Sequence, residues 1–401
     1  MRVLFLNAVF PGPFRALARA CGGAGHTVLF LAEAGQKSVT LPNVRRLRIA
    51  PPKPYDSSDA AEQECVRLLR RGARAGNAML DLRRKGFVPD LVIAAASTGG
   101  SFYVRDVFPE AFCVCYGDWF STQGRRREEL RGNMRAVVNF APAHVRNLWE
   151  YNALCDCHLA VTSSQWQRAQ YPALLQQGIH VVHAGVNTRY FTPLAGSESK
   201  IGGATRELVT FCASPHDPVR GFGLFRKCLP RLLEERPDCL VVIAWPDKGR
   251  DGALKQREPD RIASPLELPE IPEDFRLRVR MLGPCSLDEY REILRRSTVH
   301  VYLAAPQIFS TGLLEAMSCG ALVVASDTPP VREVVVHDVN GFLCTPRDTA
   351  SMSKMLAEVL ERASCLDHVR REARRTVRES YDAENQASRF LELVCNKMAE
   401  R

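Results

Sequence analysis

The sequence predicts an α/β protein that is built from two doubly wound domains. Its 401 residues are enough for about two domains, each with a hydrophobic core of its own. Each half contains a buried strand-like run, Val3–Asn7 or Val299–Ala304, that leads into a loop and then a helix-like pattern. This alternation of strand and helix is typical of parallel sheets that helices cover on both faces.

The first strand–loop–helix unit opens the chain. Val3–Asn7 is followed by a loop over residues 8–15, and the next helix ends at Gly22, Gly23 and Gly25. The loop lacks the Gly-x-Gly-x-x-Gly pattern of dinucleotide-binding proteins, which argues against a nicotinamide dehydrogenase. We therefore expect no cofactor of this kind.

Small residues follow two strands of the first half, at the strand ends where the ligands of such sheets bind. Gly12 allows close backbone approach in the loop after the first strand, and Arg15 offers a positive charge there. Gly99 and Gly100 lie in a small-residue loop after the strand at 90–95. A tight turn with a surface arginine explains the first loop equally well, so both interpretations stay open.

The composition is that of an ordinary globular protein, with 46% apolar and 25% charged residues. Met1–Leu6 predicts a strand rather than a signal peptide, and no apolar run approaches the ~20 residues that span a bilayer. The 14 cysteines are therefore expected to be reduced, buried thiols of a cytoplasmic protein. Neither Cys113-Val-Cys115 nor Cys155-Asp-Cys157 has the usual spacing of a zinc site, so no metal is expected.

The most informative stretch covers residues 309–326, where a loop and a helix lead into a second strand. Backbone N–H groups at a helix start suit an anion such as a diphosphate. Glu315 lies one turn further in, with no Lys or Arg three or four positions away. The hydroxyls of a ribose would supply the donors that a buried carboxylate needs, but a glutamate pointing to solvent fits equally well. The residues at this helix start are Ser310, Thr311, Gly312 and Leu313.

The same stretch resembles the nucleotide-sugar site of a known protein family. Leu-Leu-Glu-Ala-Met-Ser-Cys-Gly at 313–320 is followed by Val-Val-Ala-Ser-Asp-Thr-Pro-Pro-Val-Arg-Glu-Val at 323–334. Together these segments resemble glycosyltransferase family 4, whose fold is called GT-B. In that family the loop amides hold the diphosphate of the donor, and the glutamate that matches Glu315 holds the ribose.

The resemblance extends in patches over most of the chain and implies its domain organisation. It implies two Rossmann-like domains that face a cleft, an acceptor-binding domain at 1–190 and a nucleotide-sugar-binding domain at 191–380. Residues 381–401 are expected to form a helix that crosses back to the N-terminal domain. The loops that carry Gly12 and Gly100 belong to the acceptor side in this arrangement.

Other functional positions of the family are matched only in part. Arg220 matches the second of two basic residues that bind the donor diphosphate, and His216 lies near the place of the missing first one. Gln307 stands where the first of two glutamates is usual, as in a branch of the family that also lacks it. The loop with Gly99 lacks the family's histidine, and Asp118 is a candidate acceptor-orienting base. A capping or turn aspartate explains Asp118 as well.

The positive charge is concentrated in the first half of the chain. Of the net charge of +9, residues 1–190 carry +10 (24 Lys and Arg less 14 Asp and Glu) and the remainder −1 (30 less 31). No nucleic-acid-binding motif is present, so we expect no nucleic acid partner. An anionic acceptor, peripheral contact with the inner face of an anionic membrane, and a merely solvated surface all fit this charge. For the arginine-rich helix predicted at 60–85, we favour a solvated face over lipid contact.

The resemblance implies transfer of a hexose-type sugar from a nucleotide diphosphate sugar to a glycan, lipid or protein acceptor of the cell envelope. It implies retention of anomeric configuration, with Asp118 and Arg220 in catalysis and without a metal. The departures from the family pattern leave two alternatives open. One is a donor-binding or partner subunit without catalysis, and the other is a hydrolase or epimerase of nucleotide sugars.

Overall fold

The structure is a computed structural model of the chain. It describes residues 1–33, 39–117, 119–121, 141–194, 207–214, 217–246, 271–306, 311–345 and 347–401. These residues form two compact units, Met1–Ala184 with Glu384–Arg401 and Gly185–Ala383. Each unit contains a parallel sheet with helices, so the prediction of an α/β protein with two Rossmann-like domains is confirmed.

The first unit is built on a sheet of seven parallel strands. They are β1 (Arg2–Leu6), β2 (Thr27–Glu33), β3 (Val44–Ile49), β4 (Leu91–Ala95), β5 (Phe112–Gly117), β6 (Leu159–Thr162) and β7 (Ile179–Val181). Their order in the sheet is β3-β2-β1-β4-β5-β6-β7. The helices are α1 (Arg15–Gly23), α2 (Ala60–Arg84), α3 (Val104–Val107), α4 (Ala141–Asp156), α5 (Gln165–Arg168) and α6 (Ala173–Gln176).

The second unit has a six-stranded parallel sheet in the order β10-β9-β8-β11-β12-β13. These strands are β8 (Leu208–Phe211), β9 (Leu240–Pro246), β10 (Val279–Cys285), β11 (Val299–Tyr302), β12 (Leu322–Ser326) and β13 (Phe342–Cys344). The helices are α7 (Phe222–Glu235), α8 (Glu273–Arg276), α9 (Leu287–Arg296), α10 (Thr311–Ser318), α11 (Pro329–Arg332), α12 (Thr349–Glu361) and α13 (Asp367–Ser380).

The last helix of the chain, α14 (Ala383–Ala399), packs with the first unit. Its buried residues Phe390 and Val394 belong to the same hydrophobic cluster as Val3 and Phe5 of β1. Burial of such side chains contributes about 1.5–3 kcal/mol each. The end of the sequence is therefore part of the core that its beginning forms.

Each sheet has one point at which the order of strands reverses direction. In the first unit the chain moves from β1 through β2 to β3 and then returns to the other side of β1 with β4. In the second unit it moves from β8 through β9 to β10 and returns beside β8 with β11. The loops after these strands diverge, and the resulting crevice at their carboxyl ends is where open α/β sheets bind ligands.

The basic side of α2 is engaged in contacts within the first unit. Arg70 Nη1 donates to the carbonyl of Lys53 at 3.0 Å, and Arg74 Nη1 donates to the carbonyl of Ala50 at 2.9 Å. These guanidinium groups bind the segment that precedes the helix. They support a structural role for this side of α2. No helix in the described part of the chain is both long and apolar enough to cross a bilayer.

All 14 cysteines are free thiols, and most of them are buried. The expectation of buried thiols is wrong for Cys155, Cys365 and Cys395, which are exposed. All three lie on the exposed sides of helices or of a helical turn, and a single small apolar side chain at the surface is common in folded proteins.

We expect Gly185→Ala to destabilise the protein by about 2–5 kcal/mol, because Gly185 has a φ of +74° and little free space. A Cβ atom at this position would lie 2.4 Å from the Cα atom of Ala383. Urea unfolding measures the change. Gly223→Ala is the matched control, since a Cβ on this exposed residue of α7 meets no atom within 4 Å. Equal midpoints for the two variants would contradict the prediction.

A buried histidine on β11 predicts a pH dependence of stability. Burial lowers the pKa of His300 from 6.5 to about 3, and its Nδ1 lies 2.9 Å from the Thr210 hydroxyl. Between pH 6.5 and about 3, His300 binds a proton in the unfolded chain but not in the folded chain. The free energy of unfolding therefore falls by up to about 1.4 kcal/mol per pH unit as pH drops below 6.5. Urea titrations at several pH values should show that the free energy of unfolding of His300→Gln depends less steeply on pH than that of the wild type. An unchanged pH dependence would show that His300 does not cause it.

Candidate functional site

Arg220 lies in the loop that follows β8, at the switch point of the second unit. The loop contains a single helical turn, Pro218–Arg220, which is capped by the Asp217 carboxylate through the N–H of Val219 at 3.2 Å. Arg220 Nη1 donates to the hydroxyl of Tyr302 at 3.4 Å, and Arg220 Nε lies 3.5 Å from Asp217 Oδ2. The side chain of Arg220 is 21% exposed, so the guanidinium is held in place and still accessible.

The loop after β8 is joined to the segment that follows β11. The N–H of Ala305 donates to the carbonyl of Val219 at 2.9 Å. Gly221 has a φ of +73°, and a Cβ there would lie 2.5 Å from Cβ of Leu303, so only glycine allows this approach. The two loops that flank the switch point are therefore in direct contact, and Arg220 lies at their junction.

Helix α10, Thr311–Ser318, follows the same segment. Thr311 and Gly312 are half-buried and Leu313 is fully buried. The first N–H groups of a helix have no partner within the helix and carry its positive dipole end. This start of α10 can therefore stabilise an anion at the carboxyl edge of the sheet.

Two arginines of α13 hold the other end of α10. Arg374 Nη1 donates to the carbonyl of Ser318 at 2.5 Å, and Arg370 Nη1 donates to the carbonyl of Gly320 at 2.9 Å. Burial lowers the pKa of Arg370 to about 10. These contacts satisfy carbonyls that a helix C-terminus leaves without partners, and they fix the position of α10.

Glu315 points into the protein. It is 9% exposed, and its Oε2 accepts a hydrogen bond of 2.9 Å from the hydroxyl of Tyr290 on α9. The interpretation of Glu315 as a solvent-facing residue is therefore wrong. Burial and the Glu315 carboxylate raise the pKa of Tyr290 well above its usual value, which keeps its hydroxyl protonated and able to donate.

The candidate acceptor-side residues lie at the switch point of the first unit. Gly12 follows β1 in a turn with a φ of +53°, where a Cβ would lie 2.2 Å from Asn7 Nδ2. Arg15 is exposed at the first position of α1. Gly100 is buried beside Leu6, the last residue of β1. The loop after β4 thus lies against the end of β1, as expected beside a switch point.

Gly99 also has a structural role that its sequence context did not reveal. It has a φ of +72°, and a Cβ there would lie 2.9 Å from the carbonyl oxygen of Leu68 on α2. On the other side of this contact, a Cβ on Gly72 would lie 2.9 Å from the carbonyl oxygen of Gly99. The paired glycines let α2 pack closely against the loop after β4.

Four of the predicted site residues lie outside the described part of the chain. They are Asp118, His216, Gln307 and Ser310. Their roles stay predictions. Among the described residues, no group of three or more His, Cys, Asp or Glu is arranged to hold a metal ion.

Three residues of this site were not predicted from the sequence: Asp217, Tyr290 and Tyr302. Tyr290 carried the clearest signal, because it lies on the apolar side of an amphipathic helix. A buried tyrosine hydroxyl usually requires a hydrogen-bond partner. The identity of that partner, 25 residues further along the chain, could not be read from the pattern.

Comparison with known protein families matches nearly the whole length of the chain. Residues 24–191 match the family described as glycosyl transferase family 4 group, and residues 200–376 match glycosyl transferases group 1. The chain belongs to glycosyltransferase family 4. The family resemblance that the residues at 313–334 predicted is therefore confirmed for this family 4 protein.

Among the curated relatives of this family 4 protein are two enzymes that act on inositol compounds according to their names. It is 24% identical over 184 residues to D-inositol 3-phosphate glycosyltransferase of Streptomyces bingchenggensis, covering 44% of this chain and 39% of that protein. It is 26% identical over 238 residues to phosphatidyl-myo-inositol mannosyltransferase of Propionibacterium freudenreichii, covering 57% and 52%. The match therefore spans about half the length or less of these relatives.

Solved structures share the fold of this family 4 protein over its full length. Sucrose-phosphate synthase from Thermosynechococcus elongatus has a TM-score of 0.75 at 16% identity, with 100% of both chains covered. Anabaena Alr3699/HepE in complex with UDP-glucose has a TM-score of 0.68 at 15% identity, covering 99% of this chain and 100% of that chain. At these identities the similarity demonstrates a common fold.

Proposed function

We propose that this chain is a glycosyltransferase that transfers a hexose-type sugar from a nucleotide diphosphate sugar, with retention of anomeric configuration. One observation carries the proposal. Arg220 and the segment leading to the start of α10 are in contact at the switch point of the second unit, and a buried acidic residue, Glu315, lies one turn into that helix. The Arg220 guanidinium and the start of α10 suit the diphosphate of such a donor, and the Glu315 carboxylate suits its ribose.

The role of the site in catalysis is stabilisation of the departing diphosphate. Negative charge grows on the phosphate oxygens as the bond to the sugar breaks. We assign to the Arg220 guanidinium and to the N–H groups of Thr311, Gly312 and Leu313 the role of donors to that charge, without a metal ion. The β-phosphate assists removal of the acceptor proton on the same face of the sugar, and Asp118 orients the acceptor.

The names of related proteins support the proposed donor and also suggest the kind of acceptor. A structural neighbour is a complex with UDP-glucose, a nucleotide diphosphate sugar. Two curated relatives are named for transfer to inositol compounds that carry phosphate. An anionic, hydroxyl-bearing acceptor is consistent with the charge of +10 on residues 1–190. We therefore propose an envelope glycan, lipid or protein acceptor at the cytoplasmic side of a membrane.

The first test is calorimetry of the full chain with UDP, GDP and ADP, followed by mass spectrometry of mixtures of donors and candidate acceptors. The proposal expects one nucleotide to bind clearly better than the others and its sugar conjugate to be consumed with an acceptor. Binding without turnover would identify a donor-binding subunit, and release of free sugar would identify a hydrolase. An epimerised donor would identify an epimerase, and no nucleotide binding would overturn the proposal.

Membrane contact is tested separately by co-sedimentation with vesicles. The proposal expects binding to vesicles of phosphatidylglycerol but not of phosphatidylcholine, with loss of binding at about 1 M salt, where charges are strongly screened. Binding to both kinds of vesicle, or to neither, would contradict contact with an anionic membrane. The proposal would then concern the acceptor alone.

A further inference from the structure

The hydroxyl of Tyr290 is the hydrogen-bond partner of the Glu315 side chain within the described residues. It donates to Oε2 at 2.9 Å, and Tyr290 itself is only 2% exposed. The other oxygen, Oε1, forms no hydrogen bond with a described residue, while Glu315 keeps 9% of its surface exposed. One carboxylate oxygen is thus occupied by the protein, and the other remains available to a ligand.

The helix that carries Tyr290 is capped at its start and tied to a neighbouring segment near its end. At the start of α9, Ser286 and Glu289 form a reciprocal capping box, in which Glu289 Oε2 accepts from the N–H of Ser286 at 2.7 Å. Near its end, Arg295 Nε donates to the carbonyl of Thr192 at 2.6 Å. The capping box stabilises the first turn of the helix, and the Arg295 contact ties α9 to the segment around Thr192.

The ring of Tyr290 is also held by packing. Phe191 meets it edge to face, with ring centroids 6.1 Å apart. The carbonyl of Phe191 in turn accepts a 2.5 Å hydrogen bond from the hydroxyl of Ser318, at the end of α10. The two helices that present Tyr290 and Glu315 are therefore tied to the same residue, and the distance between their side chains is constrained.

A glutamate needs such a contact because its last torsion is soft. Rotation of a carboxylate about its final carbon–carbon bond has broad minima, so an unrestrained Glu315 would present its oxygens in many directions. A hydrogen bond from a rigid donor to Oε2 selects one of them. The direction of Oε1 is then set before a ligand arrives, which lowers the entropy lost on binding.

We infer that Tyr290 is a positioning residue that orients the Glu315 carboxylate toward the ribose hydroxyls of a nucleoside diphosphate. Glu315 then discriminates ribonucleotides from deoxyribonucleotides, and this discrimination depends on Tyr290, which does not itself touch the ligand. This inference rests on the proposed function and adds Tyr290, which acts through Glu315, to the residues that select the ribose.

The test compares Tyr290→Phe with the wild type and with Tyr190→Phe. Tyr190 lies near α9 and donates to an exposed carboxylate, that of Asp288, at 2.8 Å, so this control loses the same kind of bond at the surface. Calorimetry gives the dissociation constants of UDP, GDP and ADP and of their 2′-deoxy and 3′-deoxy analogues. The readout is the ratio of deoxyribonucleotide to ribonucleotide dissociation constants for the best-bound base.

We expect a ratio of about ten or more for at least one analogue with the wild type and Tyr190→Phe. With Tyr290→Phe the ratio should fall to about three or less, while affinity for the deoxy analogue changes by about twofold at most. A purely structural role for Tyr290 predicts that both ligands weaken equally and the ratio stays constant. That outcome would overturn the inference.

One further measurement, together with the wild-type affinities, keeps the test decisive. If Tyr290→Phe does not fold, a crystal structure of the wild type with the bound nucleoside diphosphate replaces it. A ribose hydroxyl on Oε1 with Tyr290 still on Oε2 supports the inference, and any other partner for Glu315 overturns it. Equal wild-type affinity for ribose and deoxyribose forms overturns the inference alone, whereas no nucleotide binding at all overturns the proposed function with it.

Discussion

Arg220→Ala should slow sugar transfer by about 10²-fold or more, which is the usual effect of losing one prearranged donor to a developing negative charge. Arg220 lies where the loops after β8 and β11 meet, and Asp217 and Tyr302 hold its guanidinium. The variant loses charge that matters most as the diphosphate departs. We therefore expect kcat to fall more than the affinity for the donor, as measured by steady-state kinetics with mass-spectrometric detection of product.

Two control variants separate this role from general effects of charge. Arg220→Lys keeps the charge but loses the planar fork that binds phosphate oxygens in pairs, so its activity should fall between wild type and Arg220→Ala. Arg231→Ala removes an arginine from α7 that pairs with Glu235 at the surface, and it should be fully active. Near-wild-type turnover in Arg220→Ala would show that this residue does not face the leaving group.

Glu315→Gln should weaken binding of the best ribonucleoside diphosphate by about 10- to 100-fold. The substitution keeps the shape of the side chain but removes the charge that strengthens hydrogen bonds from ribose hydroxyls, each worth about 1.5–3 kcal/mol to a charged partner. The buried position of Glu315 excludes water that would otherwise compete for these bonds. Calorimetry with the purified variant measures the change.

The matched control for this prediction is Glu358→Gln. Glu358 is an exposed residue of α12 in the same unit, and it pairs with Lys354 at 3.8 Å. Its replacement should leave nucleotide affinity unchanged. If Glu315→Gln binds as tightly as wild type while retaining its fold, the ribose is not held by this carboxylate.

Local patterns predicted much of the second unit correctly. The run at 299–304 predicted a strand, and β11 covers Val299–Tyr302. The helical spacing after Thr311 and the glycine at 320 predicted α10 and its end, where Gly320 has a φ of +83°. These signals are reliable because a helix or a buried strand imposes its period on neighbouring residues.

The partners of the charged residues could not be predicted in the same way. Glu315 meets Tyr290 across 25 positions of the chain, and Arg220 meets Tyr302 across 82. Nothing in the sequence near either charged residue specifies these hydroxyls. The contact between Gly72 and Gly99 is of the same kind, since each glycine alone is explained equally well by a turn or a weak helix position.

By itself, the sequence determined the α/β class, the division into two units and the membership of glycosyltransferase family 4, because each depends on chain length, on short-range periodicity or on contiguous motifs. Only the tertiary structure decided that Glu315 faces inward onto Tyr290 and that Arg220 lies against Tyr302. The physical reason is that parallel strands bring together loops that are far apart in the chain. The order of those strands, rather than any local pattern, selects which side chains meet.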